Sequence, residues 1–232
     1  ERVDLLATLA WHYCRYKNLQ DSEKLLKEAE ALMTDLVYPK GAYAINIVKA
    51  RHYYDRDVYD LALQFSTEGA DFFREQGDRS WQLWALSIRA ATLRILDEHV
   101  QAFEASKEQY WLAKELDDPQ EITVALNSLG RNAQIRNDLE EALRHYKEAY
   151  ELADSINDHY IHAITLANYA SILRHMGRYD DAIKAAEKSL KILQDHDYVR
   201  DQAIPMGRLG DAYKAKGDYG NAEAWYKTRI QI

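Results

Sequence analysis

The 232 residues carry a formal net charge of −8 and 47% of them are apolar, with a pI of about 5.5. That apolar share supplies a real core and excludes a disordered segment, while the acidic balance lacks the basic excess that nucleic-acid binding needs. The single cysteine, Cys14, excludes an internal disulfide and fits a reducing compartment; no apolar run nears the roughly 20 residues of a membrane span, so the expectation is a cytoplasmic chain with no membrane insertion.

Three columns of residues recur every 40 positions along the chain. The first reads Ser22, Ala62, Ala102, Ala142, Ala182, Ala222, and the second Ala10, Ala50, Ala90, Gly130, Ala170, Gly210. The third is larger: Leu19, Tyr59, His99, Leu139, Tyr179, Tyr219. A fixed period of this size marks a solenoid of stacked units. It divides the chain into repeats at about 1–38, 39–78, 79–118, 119–158, 159–198 and 199–232, forming a single array. With only 3 Pro and 9 Gly, each repeat is expected to be helical.

The first repeat opens on Leu5, Leu6 and Leu9. The second begins at Pro39, and Gly77-Asp78 separates it from the third. Asp117-Asp118-Pro119 opens the fourth, where Asp118 is placed to cap a helix and Pro119 to occupy its first turn. In that repeat Leu126, Leu129, Gly130 and Ala133 fall on one helical stripe. Asn137-Asp138 then turns the chain. Ala142, Tyr146, Ala149, Tyr150 and Ala153 form a second stripe. The pattern predicts two antiparallel helices, close at Gly130 and Ala142, with Tyr146 filling the space beside them. Asn157-Asp158 leads into the fifth repeat, and Pro205 predicts a late start or a kink in the sixth. The chain stops at Ile232 inside a second helix, with no polar cap and with Ala222, Trp225, Tyr226 and Ile230 on an apolar face. The expectation is that more chain follows in a parent protein, or that the ends pair with another copy.

Leu126, Leu129, Gly130, Ala142, Tyr146 and Ala149 resemble the tetratricopeptide repeat pattern. So do Leu209, Gly210, Tyr213, Gly217, Asp218, Tyr219, Ala222 and Tyr226, and, in the fifth repeat, Ala170, Gly177, Tyr179, Ala182 and Ser189. The second and third repeats depart from it, with Lys49 and Arg89 at a leucine slot and Ser66 and Ser106 at an aromatic one. The resemblance implies an all-α, right-handed superhelix of six helical hairpins. The 40-residue unit looks like that of Pins/LGN-type adaptors, bacterial peptide-pheromone receptors and sensory regions of bacterial signalling enzymes.

The resemblance also implies a concave groove lined by the first helix of each hairpin, where a protein or peptide segment docks. One groove column reads Trp11, Arg51, Ala91, Arg131, Ser171, Asp211, and the next Cys14, Tyr54, Arg94, Gln134, Arg174, Lys214. Arg51, Arg94, Arg131, Arg174 and Lys214 thus form a basic stripe suited to an acidic segment. Asn127 and Asn168 fall where the family holds a ligand backbone, and Trp11 and Trp84 are candidate anchors for an apolar side chain. The slots of the chaperone-binding carboxylate clamp hold Ala7 and Trp11, which argues against that ligand. His12 and His52 share one column, and His159 and His162 stand three apart without further ligands, so no metal or cofactor is expected. No phosphate-binding loop or nucleophile elbow is present. The expected function is a non-catalytic peptide-binding module, the sensory or scaffolding part of a larger signalling protein whose output domain, a diguanylate cyclase for example, lies elsewhere. The alternatives are an oligomerisation array that dimerises through its ends, and a peptide-pheromone receptor domain.

Overall fold

A computed structural model describes residues 1–15, 18–34 and 36–231; Ile232 lies outside them. Helices α1 (Arg2–Arg15), α2 (Leu19–Met33), α3 (Pro39–Asp55), α4 (Tyr59–Gln76), α5 (Arg79–Ile95) and α6 (His99–Glu115) belong to one compact unit, Glu1–Leu116. Helices α7 (Pro119–Ile135), α8 (Leu139–Ser155), α9 (His159–His175), α10 (Tyr179–Asp195), α11 (Ala203–Lys216) and α12 (Tyr219–Ile230) belong to a second, Asp117–Ile232. Consecutive helices pair as antiparallel hairpins within each unit. The first helices of neighbouring hairpins also touch: α1 with α3 and α3 with α5, and then α7 with α9 and α9 with α11.

The turns explain the period. Residues with left-handed backbone stand at Asp57, Gly77, Asp97, Asp117, Asn137, Asn157, Gly177, Asp197 and Gly217, with φ between 50° and 89°. They are spaced 20 apart without a slip, one at each turn between helices from the second repeat onward. Every one is Gly, Asp or Asn, the residues for which this conformation costs least. The following residue often caps the next helix. Asp78, Asp118, Asp138, Asp158 and Asp218 accept the backbone amides of Trp81, Glu121, Glu141, Ile161 and Asn221. Pro39 and Pro119 occupy helix first turns. The sixth repeat does start late: a 3₁₀ turn, Val199–Gln202, precedes α11, whose buried Pro205 sits in its opening turn.

A Cβ at Gly77 would meet nothing within 4 Å, so substitution there tests the backbone alone. Gly77→Val is expected to lower unfolding free energy by about 2 kcal/mol, whereas Gly77→Asn stays near the parent. Urea unfolding followed by far-UV circular dichroism distinguishes them; equal losses would assign the turn's requirement to something other than φ.

The small columns form the seams between helices. Ala10, Ala50, Ala62, Ala90, Ala102 and Ala142 are wholly buried. In the fourth repeat Tyr146, also wholly buried, lies on Gly130, where an added Cβ would stand 2.8 Å from the ring. Tyr146 packs with Ala133, Ala142 and Ile172, so one aromatic from a second helix fills the space left by a glycine of the first. The same pairing recurs at Gly210 and Tyr226. Among the described residues no helix is long and apolar enough to cross a membrane.

Candidate functional site

In the first unit the expected groove residues sit on α1, α3 and α5, and several are already engaged. Trp11 is 4% exposed and stacks on Trp84, with ring centroids 5.3 Å apart and planes at 17°. His12 meets the same Trp84 edge-on. Arg51 donates through Nε and Nη2 to the two carboxylate oxygens of Asp55, at 2.9 and 3.2 Å, and covers the half-buried ring of Tyr54. Its charge is thus matched by a bidentate partner one helical turn away. Arg94 is buried, 8% exposed. The basic stripe therefore presents neither of its two first-unit members as an open cation.

His52, from the same column as His12, lies beneath the surface. It is buried against Ser22 Oγ at 3.0 Å and Cys14 Sγ at 3.5 Å. Ser22 donates to the carbonyl of Ala10. Burial holds the His52 imidazole below its usual pKa. These groups tie α1, α2 and α3 together beneath the surface. Farther along, His159 stacks on His196, and His162 is buried beside Asp154 at 3.1 Å.

The second unit is different. Asn127 and Arg131 lie on α7, Asn168 and Arg174 on α9 and Lys214 on α11; the contacts bring Asn127 to Asn168, and Arg174 and Lys214 to one depression. Asn168 Nδ2 donates to Asn127 Oδ1 at 2.9 Å across the two helices. Each amide has a donor and an acceptor side, so this bond leaves the amide N–H groups of Asn127 and the carbonyl of Asn168 for a ligand. Both residues are partly exposed. One turn farther along α7 is Arg131, exposed. On α9 Arg174 is partly buried, with Nη2 against His175 Nε2 and its Nε enclosed and lacking an acceptor.

A further cation stands with them. Arg208 on α11 is partly buried, and its Nε is also enclosed without an acceptor. Burial pushes its pKa down; Asp211 opposes the shift, and Arg174 and Arg131 add to it by repulsion. Asp211 is the carboxylate of this cluster, and it accepts a 2.8 Å hydrogen bond from the Tyr226 hydroxyl. Arg174, Asp211, Lys214, Ala215 and Tyr219 line an open depression of about 400 Å³. Among the described residues no ion pair joins a carboxylate to Arg131, Arg174, Arg208 or Lys214.

Sequence columns passed over Arg208. It lies 40 residues after Asn168, in the same repeat slot. That slot reads Ser128, Asn168 and Arg208, with no residue type recurring, so comparison by column does not single it out.

The model of the tetratricopeptide repeat family matches residues 120–195 and 162–232. Residues 120–232 thus carry tetratricopeptide repeats by sequence, and the whole chain has the fold of a tetratricopeptide solenoid. No curated protein matches it. Among solved structures, tetratricopeptide solenoids cover nearly all of it at low identity. Apo RapI is 14% identical with a TM-score of 0.69, over 100% of this chain and 97% of that one. NprR in complex with its cognate peptide NprX is 15% identical with a TM-score of 0.74, over 100% of this chain and 67% of that one. A signal-transduction ATPase with a tetratricopeptide repeat sensor, from Pyrococcus horikoshii, is 17% identical with a TM-score of 0.71; 98% of this chain matches 35% of that one. These likenesses describe the tetratricopeptide fold.

Proposed function

We propose that this chain is a peptide-binding module, the sensory or scaffolding part of a larger signalling protein, taking an extended acidic segment along the first helices of its second unit. The observation that carries the reading is the Asn127–Asn168 pair, which offers both donor and acceptor to a peptide backbone, with cations on the same helices that form no ion pair among the described residues. A structural neighbour bound to a peptide and another that contains a tetratricopeptide sensor support the same class. In the first unit, taken by itself, Tyr54 and Trp84 are partly exposed and are the groups we propose for contact with an apolar side chain, with Trp11, Arg51 and Arg94 already engaged or buried.

A displayed random-peptide library selected on the full chain tests this. Enriched peptides should be rich in Asp and Glu and should bind the Asn127→Ala/Asn168→Ala variant at least about tenfold more weakly, the loss of one to two backbone hydrogen bonds. The variant's helicity and melting temperature should match the parent's. Failure to enrich any peptide, or peptides that bind the variant equally well, would sink the reading.

A further inference from the structure

The cluster on α7, α9 and α11 has a property that solvent-facing arginines lack. Guanidinium groups are stabilised in folded proteins by carboxylates or by water. Here two of them, Arg174 and Arg208, have enclosed Nε–H donors with no acceptor. Leaving a buried donor unmet is unfavourable, and more so where the group is charged. Arg174 and Arg131 further repel Arg208. Among the described residues the carboxylate acting on Arg208 is Asp211, which accepts from the Tyr226 hydroxyl and forms no ion pair with these arginines. The ligand-free cluster is therefore short of one compact negative group.

We infer that Arg174 and Arg208, with Arg131 beside them, form a receptor for a single carboxylate group of the bound segment. The inference rests on the peptide-groove reading and deepens it. Two features favour a carboxylate over a phosphate. The guanidinium fork matches two coplanar oxygens, and Asp211 within the cluster repels a dianion about twice as strongly as a monoanion. Position fits as well. Arg208 occupies in α11 the slot that Asn168 occupies in α9, and α9 packs on α11. Packed helix axes lie about 8–10 Å apart, two to three residues of extended chain at about 3.3 Å each. A peptide unit held by the two asparagines thus places a carboxylate at Arg208 within three residues. That carboxylate comes either from the chain terminus or from an acidic side chain.

Because Arg208 is buried among like charges, neutralising it should stabilise the empty protein while removing its response to ligand. A purely structural arginine would show the opposite sign.

The test follows the arginine Nε–H signals of the ¹⁵N-labelled full chain, assigned with Arg174→Lys and Arg208→Lys variants. Four probes are titrated at constant ionic strength: N-acetylglycine, which ends in a carboxylate; N-acetylglutamate α-amide, which carries one on its side chain; inorganic phosphate; and neutral N-acetylglycinamide. Saturable shifts at Arg174 and Arg208 with either carboxylate, at least about tenfold weaker in Arg208→Gln, support the receptor. Tighter binding of the first probe identifies a chain terminus as the source, and of the second an acidic side chain. Melting temperatures without ligand should rise in Arg208→Gln. Tighter binding of phosphate, equal shifts with the neutral amide, or an undiminished response in Arg208→Gln would each overturn it. A Gln variant that melts lower or does not fold would overturn the claim that Arg208 is strained when empty; binding is then read in Arg208→Lys, which keeps the charge but loses the fork, and undiminished carboxylate binding there would overturn the receptor. Small probes do not span the asparagines, so Asn127→Ala/Asn168→Ala should keep their binding. Library peptides lost in that variant while the carboxylates remain silent would refute the receptor and leave the peptide groove standing.

Discussion

Tyr146→Ala is expected to lower unfolding free energy by about 3–5 kcal/mol, the largest loss from any single truncation in the second unit. The side chain is wholly buried and spans the seam between α7 and α8, with Ala133, Ala142 and Ile172 around it. Its ring lies where a side chain of residue 130 would otherwise stand, so removal opens a cavity that the small neighbours cannot fill. The complementary change, Gly130→Ala, has two opposed terms. Alanine gains about 1 kcal/mol of helix propensity, but its Cβ falls 2.8 Å from a ring with nowhere to go, and overpacking costs about 1–3 kcal/mol. The net is a loss. At Gly210 the new Cβ approaches Tyr226 even more closely, at 2.4 Å, yet Tyr226 is only partly buried and its hydroxyl end can swing outward. Gly210→Ala should therefore cost less than Gly130→Ala despite the shorter distance. Urea unfolding monitored by circular dichroism ranks the three variants; a larger loss at Gly210 would show that burial of the aromatic does not decide the outcome.

The repeat made this seam legible from the residues alone. Gly130 and Tyr146 could be paired from helical spacing, because a missing side chain and a large one sixteen residues later fit only a hairpin. The turn residues were equally readable: Asn137-Asp138 and Gly77-Asp78 hold backbone conformation and cap in adjacent positions. Side-chain partnership was less so. Arg51 and Arg131 share one column, but Asp55 stands one turn after Arg51 while Ile135 follows Arg131 at the same interval. One cation is therefore closed by a bidentate pair and the other is not. Column reading compares a residue with its equivalents 40 positions away, whereas electrostatics is decided by the residue four positions away on the same helix and by the neighbouring helix. Arg208 escaped for a related reason: its importance comes from Arg174 and Arg131, not from its own column.

Trp11→Ala is expected to cost the first unit about 3–5 kcal/mol, comparable with the loss at Tyr146. Trp11 begins an aromatic series that crosses three helices. It stacks on Trp84; Trp84 meets Trp81 edge-on at 4.8 Å; and Trp81 stacks on Phe73 at 5.7 Å. Removing its first member uncovers Trp84 and opens a void between α1 and α5. Trp11→Phe should behave otherwise. The indole Nε1 is enclosed and has no hydrogen-bond partner among the described residues, so phenylalanine discards an unmet donor while retaining most of the stacking area. Its loss should be well below that of Trp11→Ala, because only part of the indole volume is vacated. Trp84→Ala separates packing from recognition. Trp84 is partly exposed, so its truncation should cost less stability than Trp11→Ala. If a ligand reaches the first unit, the same change should weaken binding more than Trp11→Phe does. Four of the five tryptophans, Trp11, Trp81, Trp84 and Trp111, lie in this unit, so its unfolding dominates the change in indole fluorescence and the three variants can be ranked by it directly. A Trp11→Phe loss as large as that of Trp11→Ala would mean that the indole nitrogen, and not the stacked surface, holds α1 in place.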